Sequence, residues 1–300
     1  LQKKNIGITA GFESNIVKKE WIDNINCMDA VIVPSEFTRL SFVNTSNENN
    51  KNILTSINVI NEWYYNDIDY IDNKNNLIKN LIHKRNILLV GKLSNINNIV
   101  DRKNTIKTLV ACLEFVKDKN IGVILKASFD SDSVKSKDML KEYIKDNIPF
   151  DLYKDKLSII VKSLTEKQMI SLYSSKNVSC FVSGTRGEGF GLPFLESASL
   201  GLPIIATNYS AYKEFLEDDF IKVDYDLIDL GFVDKTFIDE DSNPKWAEFN
   251  TLSLKSKLID FFNNIEKHEL IAKKRKKIIK QNLCMSNILD KYNIFFESLE

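Results

Sequence analysis

The sequence predicts an α/β fold, a parallel sheet with helices on both faces, followed by a helical tail. Three observations carry that expectation. Short apolar runs alternate with amphipathic stretches along most of the chain. A glycine-rich turn at 183–191 stands between one such run and a helical pattern. Beyond about 244 the apolar residues recur only at helical spacing.

Taken in order, "NIGITA" (5–10) reads as a strand and 14–27 as an amphipathic helix. "DAVIVP" (29–34) is a strand, after which Ser35 is placed to cap a helix running to about Thr45. The Asn-rich stretch 44–52 reads as a loop and "INVI" (57–60) as a strand, while 61–82 lack clean periodicity and read as a linker. A second series then alternates strand and helix: 86–91, 103–117, 121–127, 134–146, 156–161, 165–174, 178–183, 203–207, 211–216 and 220–225. In open parallel sheets, ligands bind outside the carboxyl ends of the strands. Gly91, Lys92 and Lys126 fall at such ends, and so does the glycine loop.

Bulk properties narrow the function. Lys+Arg and Asp+Glu number 41 each in 300 residues, so the net charge is zero and a nucleic-acid partner is not expected. The four cysteines lie far apart, and His83 and His268 are the only histidines. A zinc site or disulfide framework is therefore not expected, and a reducing, cytoplasmic setting is. No apolar run has the ~18 residues of a membrane span, and no signal peptide is visible. The chain begins at Leu1 rather than Met, so a fragment is expected.

The loop "SGTRGEGFGLPFLE" (183–196) carries the most chemistry. Gly184, Gly187, Gly189 and Gly191 permit positive φ and close approach of a ligand to backbone. Pro193 suits a first helical turn, and Gly201 with Pro203 suits its end. A helix N-terminus facing the crevice would favour phosphate. Glu188 in the loop and Glu196 within the helix are placed to accept hydrogen bonds from sugar or ribose hydroxyls. The plainer alternative is a tight turn with both glutamates in water. A dinucleotide fingerprint fails, because Leu192 and Phe194 stand where glycine is needed, and no Gly-Lys-Ser/Thr marks a Walker loop. A glycosidase could also use two carboxylates, but has no need of an anion site.

"GEGFGLPFLE" (187–196), with seven residues between its glutamates, resembles the E-x7-E motif of retaining GT-B glycosyltransferases of family 4, glycosyl transferases group 1. The stretch 163–216 follows that family's donor-domain pattern almost continuously. "ILLVGKL" (87–93) and "DRKNT" (101–105) resemble its first donor strand and basic phosphate turn, and "MDAVIVPSEFTRLSF" (28–42) the end of its acceptor domain. The resemblance implies a GT-B architecture: a partial acceptor-side α/β domain and linker over 1–82, a complete Rossmann-like donor domain over 83–243, and C-terminal helices over 244–300. It implies transfer of a sugar from a nucleoside-diphosphate sugar, with retention, to an unidentified glycan, lipid or protein. It further implies that Glu188 contacts the transferred sugar and Lys103 grips the diphosphate, these two being the catalytic pair. Glu196 would hold the ribose, and the backbone of Gly189, Phe190, Gly191 and Leu192 would lie along sugar and diphosphate. Lys92, Arg102, Lys126 and Ser210 complete the expected donor site. The departing diphosphate would itself take the acceptor's proton, with no metal or other cofactor expected. The family's acceptor-domain histidine has no counterpart here, since His83 falls at the linker and His268 in the tail. The alternative is therefore a nucleotide-sugar-binding domain that is non-catalytic or depends on a partner chain.

Four lesser signals remain. Asp130-Ser131-Asp132 resembles a metal-binding D-x-D but is read as an ordinary acidic loop. Glu214 is read either as closing over the donor or as lying on a helix surface, and Tyr209 as a donor neighbour. The basic run "KKRKKIIK" (273–280) is read as a solvated helix face rather than a membrane contact.

Overall fold

The computed structural model describes residues 3–64, 81, 83–93, 101–128, 134–230, 237, 239 and 241–299. The chain opens with three parallel strands, β1 (Ile6–Ile8), β2 (Ala30–Val33) and β3 (Ser56–Val59), in spatial order β1-β2-β3. Helices α1 (Glu20–Asn26) and α2 (Glu36–Glu48) connect them. Ser35 caps α2 as expected, its Oγ accepting the Thr38 N–H and satisfying one of the donors a helix start leaves open.

Two boundaries in this part differ from expectation. α1 begins at Glu20 rather than 14. The preceding backbone makes long-range bonds instead of helical ones: the Asn15 N–H donates to the Lys245 carbonyl and the Val17 N–H to Thr45 Oγ1. α2 continues through Glu48 into the stretch expected to be a loop, ending where the Asn49 side chain donates back to the Thr45 carbonyl.

The second series forms a six-stranded parallel sheet. Its strands are β4 (Asn86–Lys92), β5 (Gly122–Ser128), β6 (Leu157–Val161), β7 (Val178–Ser183), β8 (Ile204–Thr207) and β9 (Ile221–Val223), in spatial order β6-β5-β4-β7-β8-β9. Helices α3 (Thr105–Val116), α4 (Val134–Asn147), α5 (Phe150–Tyr153), α6 (Glu166–Tyr173), α7 (Leu192–Leu200) and α8 (Lys213–Leu216) lie between them. Strand periodicity divides the core: Leu89, Val123 and Leu125 pack with Leu109, Leu113 and Val116 of α3 on one face. Leu88, Ile124 and Phe181 pack with Phe194, Leu195 and Ala198 of α7 on the other. The sheet grows outward from β4 to β6, then restarts at β7 on the other side of β4. The connections after β4 and β7 therefore part in opposite directions, leaving a crevice at their carboxyl ends.

The expected last strand, 220–225, divides at Asp224. Its first part is β9, and its end begins β10 (Tyr225–Asp229), which pairs antiparallel with β11 (Lys245–Phe249). β11 corrects the expectation that everything past 244 is helical. Its Trp246, Ala247 and Phe249 are buried, and its pairing partner lies too far back in the chain for local periodicity to report. Three helices follow: α9 (Thr251–Asn263), α10 (Ile265–Asn282) and α11 (Met285–Glu297). The basic run on α10 is not wholly solvated either. Arg275 is 4% exposed, and its guanidinium donates to Asp219, to Glu217 and to the Phe215 carbonyl, tying α10 to the end of α8.

Candidate active site

The crevice brings together two segments far apart in sequence. Arg102 and Lys103 immediately precede α3, beyond the end of β4, and Glu188 sits in the loop after β7. Lys103 Nζ donates to both Glu188 oxygens at 2.7 Å. Arg102 donates to the Gly187 carbonyl at 2.8 Å and to Glu188 Oε2 at 3.3 Å, and Thr185 Oγ1 donates to Glu188 Oε1 at 2.9 Å. The Glu188 N–H donates to Ser210 Oγ at 3.0 Å. Burial by itself would raise the Glu188 carboxyl, but Lys103 and Arg102 outweigh it and hold the group below the usual carboxylate range.

Local backbone chemistry sets this loop in place. Gly191 caps α7 at φ 98°, a left-handed conformation that glycine adopts without a Cβ penalty. Asp101 Oδ2 accepts the Thr105 N–H at 2.6 Å and so caps the start of α3. The Arg186 N–H donates to the Arg102 carbonyl, while its guanidinium bonds Glu248 at 2.8 Å and lies 4.8 Å from the Trp246 ring. The Ala247 N–H donates to the Arg186 carbonyl. β11 thus braces the glycine loop from behind.

The first three strands contribute to the same place. Glu13, in the irregular segment before α1, lies 3.1 Å from Arg102. Burial raises its carboxyl above the ordinary value, with Arg102 opposing. Sequence reasoning missed Glu13, and its only signal is a carboxylate shortly beyond the carboxyl end of β1. Ser35 Oγ and Thr38 Oγ1 donate to the Gly189 carbonyl at 2.6 and 3.1 Å. Glu214 accepts the Glu36 and Phe37 N–H groups at 3.0 and 2.8 Å, at the start of α2. Of its two readings, as a lid over the donor or a surface residue, neither anticipates this capping role. Tyr209 meets Phe37 edge-to-face at 5.4 Å.

The other expected residues spread around this centre. Glu196 is half-buried on α7, and Leu192 is exposed at its first turn. The Phe190 ring is buried, 5.1 Å from that of Phe215, so its side chain belongs to the core. Lys92 is exposed at the end of β4. Lys126 is 6% exposed and lies inside β5 rather than at its exit, in register with Val90 and Ile160. His83 bonds Asn120 and the Asp155 carbonyl, and His268 pairs with Asp260 on the helical tail, so neither joins the Glu188 cluster. The Asp130-Ser131-Asp132 stretch lies outside the described residues. Among the described residues no group of three or more His, Cys, Asp or Glu could hold a metal ion, and no helix is long and apolar enough to cross a membrane.

Residues 141–226 match the family model described as glycosyl transferases group 1. The match includes the glycine loop, Glu188 and Glu196. No curated protein sequence matches the chain. The described α/β fold, with its parallel sheets, matches that of solved GT-B glycosyltransferases. A point mutant of S. aureus TarM, solved with UDP, fondaparinux and alpha-GlcNAc-glycerol, is 17% identical with a TM-score of 0.62, over 98% of this chain and 50% of TarM. HepE of Anabaena, solved with UDP and glucose, is 12% identical with a TM-score of 0.68, over 93% of this chain and 66% of HepE. A glycosyltransferase from Rickettsia africae is 15% identical with a TM-score of 0.65, over 98% of this chain and 70% of the other. The chain thus spans about half the length of TarM, and these likenesses establish the fold.

Proposed function

We propose that this chain carries the donor site of a glycosyltransferase, which moves a sugar from a nucleoside-diphosphate sugar to an acceptor with retention of configuration. The observation that carries the reading is the Glu188 clamp. A buried carboxylate, two cations and a glycine-capped helix start converge at the switch point of the sheet. Glu188 would accept hydrogen bonds from the transferred sugar. Lys103 and Arg102 would turn to the diphosphate, whose negative charge grows as it departs, and the backbone from Gly189 to Leu192 would flank it. Glu196 would hold the ribose, with Lys92, Lys126 and Ser210 as further donor neighbours. The departing phosphate would take the acceptor's proton on the same face, so that the protein supplies placement and charge without a metal. Four free cysteines suit a reducing, cytoplasmic setting. The acceptor is a glycan, a lipid or a protein.

A second reading is a nucleotide-sugar-binding module that is non-catalytic or needs a partner chain. It is favoured by the placement of both histidines away from the Glu188 cluster. Calorimetric titration with UDP, GDP and ADP, repeated on Glu196→Ala, tests the donor site. Binding of one diphosphate, weakened by the substitution, supports it, whereas no binding to any of them by folded protein sinks it. Nucleotide release from the matching nucleotide sugar then separates transferase from binding module.

A further inference from the structure

Glu13, Arg102, Lys103 and Glu188 form one cluster of two negative and two positive charges. Their side chains are 23%, 27%, 16% and 6% exposed respectively. These four charges balance one another. On the reading above, a diphosphate enters with about two or more negative charges. Crowding that charge beside two carboxylates, largely out of water, is costly. One carboxylate must withdraw or become neutral.

Glu188 is held by Lys103, Arg102 and Thr185, and by its own N–H on Ser210. Glu13 makes one ion pair among the described residues, with Arg102. Its backbone packs directly on the glycine loop, since a Cβ added at Gly187 would lie 2.1 Å from the Glu13 carbonyl oxygen. We propose that Glu13 is a positioning residue that holds Arg102 and takes up a proton from solvent when Arg102 and Lys103 engage a diphosphate. The groups facing it are Arg102, Lys103 and Glu188. Burial already favours the neutral carboxyl, opposed by Arg102 and Lys103 and aided by Glu188. A diphosphate diverts both cations and adds negative charge, so each change acts in the same direction. The inference rests on the diphosphate reading of the site.

The test is calorimetry with UDP, then GDP and ADP, in buffers of different ionisation heat at one pH. The expected result is net proton uptake by the wild-type protein, with affinity falling as pH rises above the free-site value of Glu13. Glu13→Gln keeps the shape and a hydrogen bond to Arg102. It is expected to bind about three- to tenfold tighter at the alkaline end and to lose the uptake. The series is run at about pH 7.5, above the ligand's own phosphate ionisation at about pH 6, so the ligand adds almost no proton change of its own. Binding without uptake by the wild type, or equal uptake by folded Glu13→Gln, overturns the inference and leaves the donor site standing. No binding by any of the three overturns the donor site and the inference together. The wild-type buffer series needs no variant to fold.

Discussion

Lys103 Nζ lies 2.7 Å from each carboxylate oxygen of Glu188, a pair 85 residues apart in the chain. The parallel sheet makes this meeting, because β4 and β7 are neighbours and both point their carboxyl ends at one crevice. The lysine is 16% exposed and the glutamate 6%. Removing one partner of such a pair leaves an incompletely compensated charge. Lys103→Met is expected to cost about 3 kcal/mol at neutral pH, read by urea denaturation. The sign with pH follows from the lowered Glu188 carboxyl. Its stabilisation is complete above the ordinary value of 4.5 and is lost as pH falls below it. The gap between wild type and variant should therefore narrow in acid. A gap that widens would contradict the ion pair as the source.

Glu196→Ala separates ligand binding from folding. Glu196 is half-buried on α7. Stability is expected to fall by about 1 kcal/mol, which leaves the protein folded. Loss of a charged hydrogen bond to ribose would weaken nucleotide binding roughly tenfold or more. A melt and a titration on the same sample check both halves.

Gly187→Ala tests the closeness of loop and amino-terminal segment. The added Cβ would lie 2.1 Å from the Glu13 carbonyl oxygen, a backbone atom that cannot rotate away. A cost of about 1–3 kcal/mol is expected, together with weaker diphosphate binding, since Arg102 also bonds the Gly187 carbonyl. An unchanged melting temperature would mean that the two segments part freely.

Glu214→Ala removes the carboxylate that accepts two N–H groups at the start of α2. Losing a cap of this kind costs about 1 kcal/mol, a fall of about 1–2 °C in melting temperature for a chain of this size. Amide exchange should quicken at Glu36 and Phe37 first. Equal protection in variant and wild type would show that the cap carries no weight.

Much of the fold is legible because its signals are local. The strands at 86–91, 121–127 and 178–183 are dense apolar runs between turn residues, as a strand buried on both faces requires. Ser35 announces a helix start through its own side chain. Where the expectation fails, the deciding contact is remote. Asn15 and Val17 bond Lys245 and Thr45 rather than continuing a helix, and β11 becomes a strand because β10 lies alongside it. Arg275 turns inward from between the exposed Lys274 and the half-buried Lys276 because Asp219 waits beneath it.

The same division holds at the candidate site. Glycine spacing, Pro193 and the two glutamates mark the loop and the helix it opens, since conformational freedom and capping belong to the residues themselves. The resemblance put Glu188, Lys103 and Arg102 in one site, but their direct contacts were not readable. That Lys103 and Arg102 close on Glu188, that Glu13 reaches Arg102 from the first three strands, and that Lys126 is enclosed in β5 all depend on how distant segments pack. Charge–charge distance is a property of the folded sheet and its register, and one residue's neighbours in sequence carry no record of it.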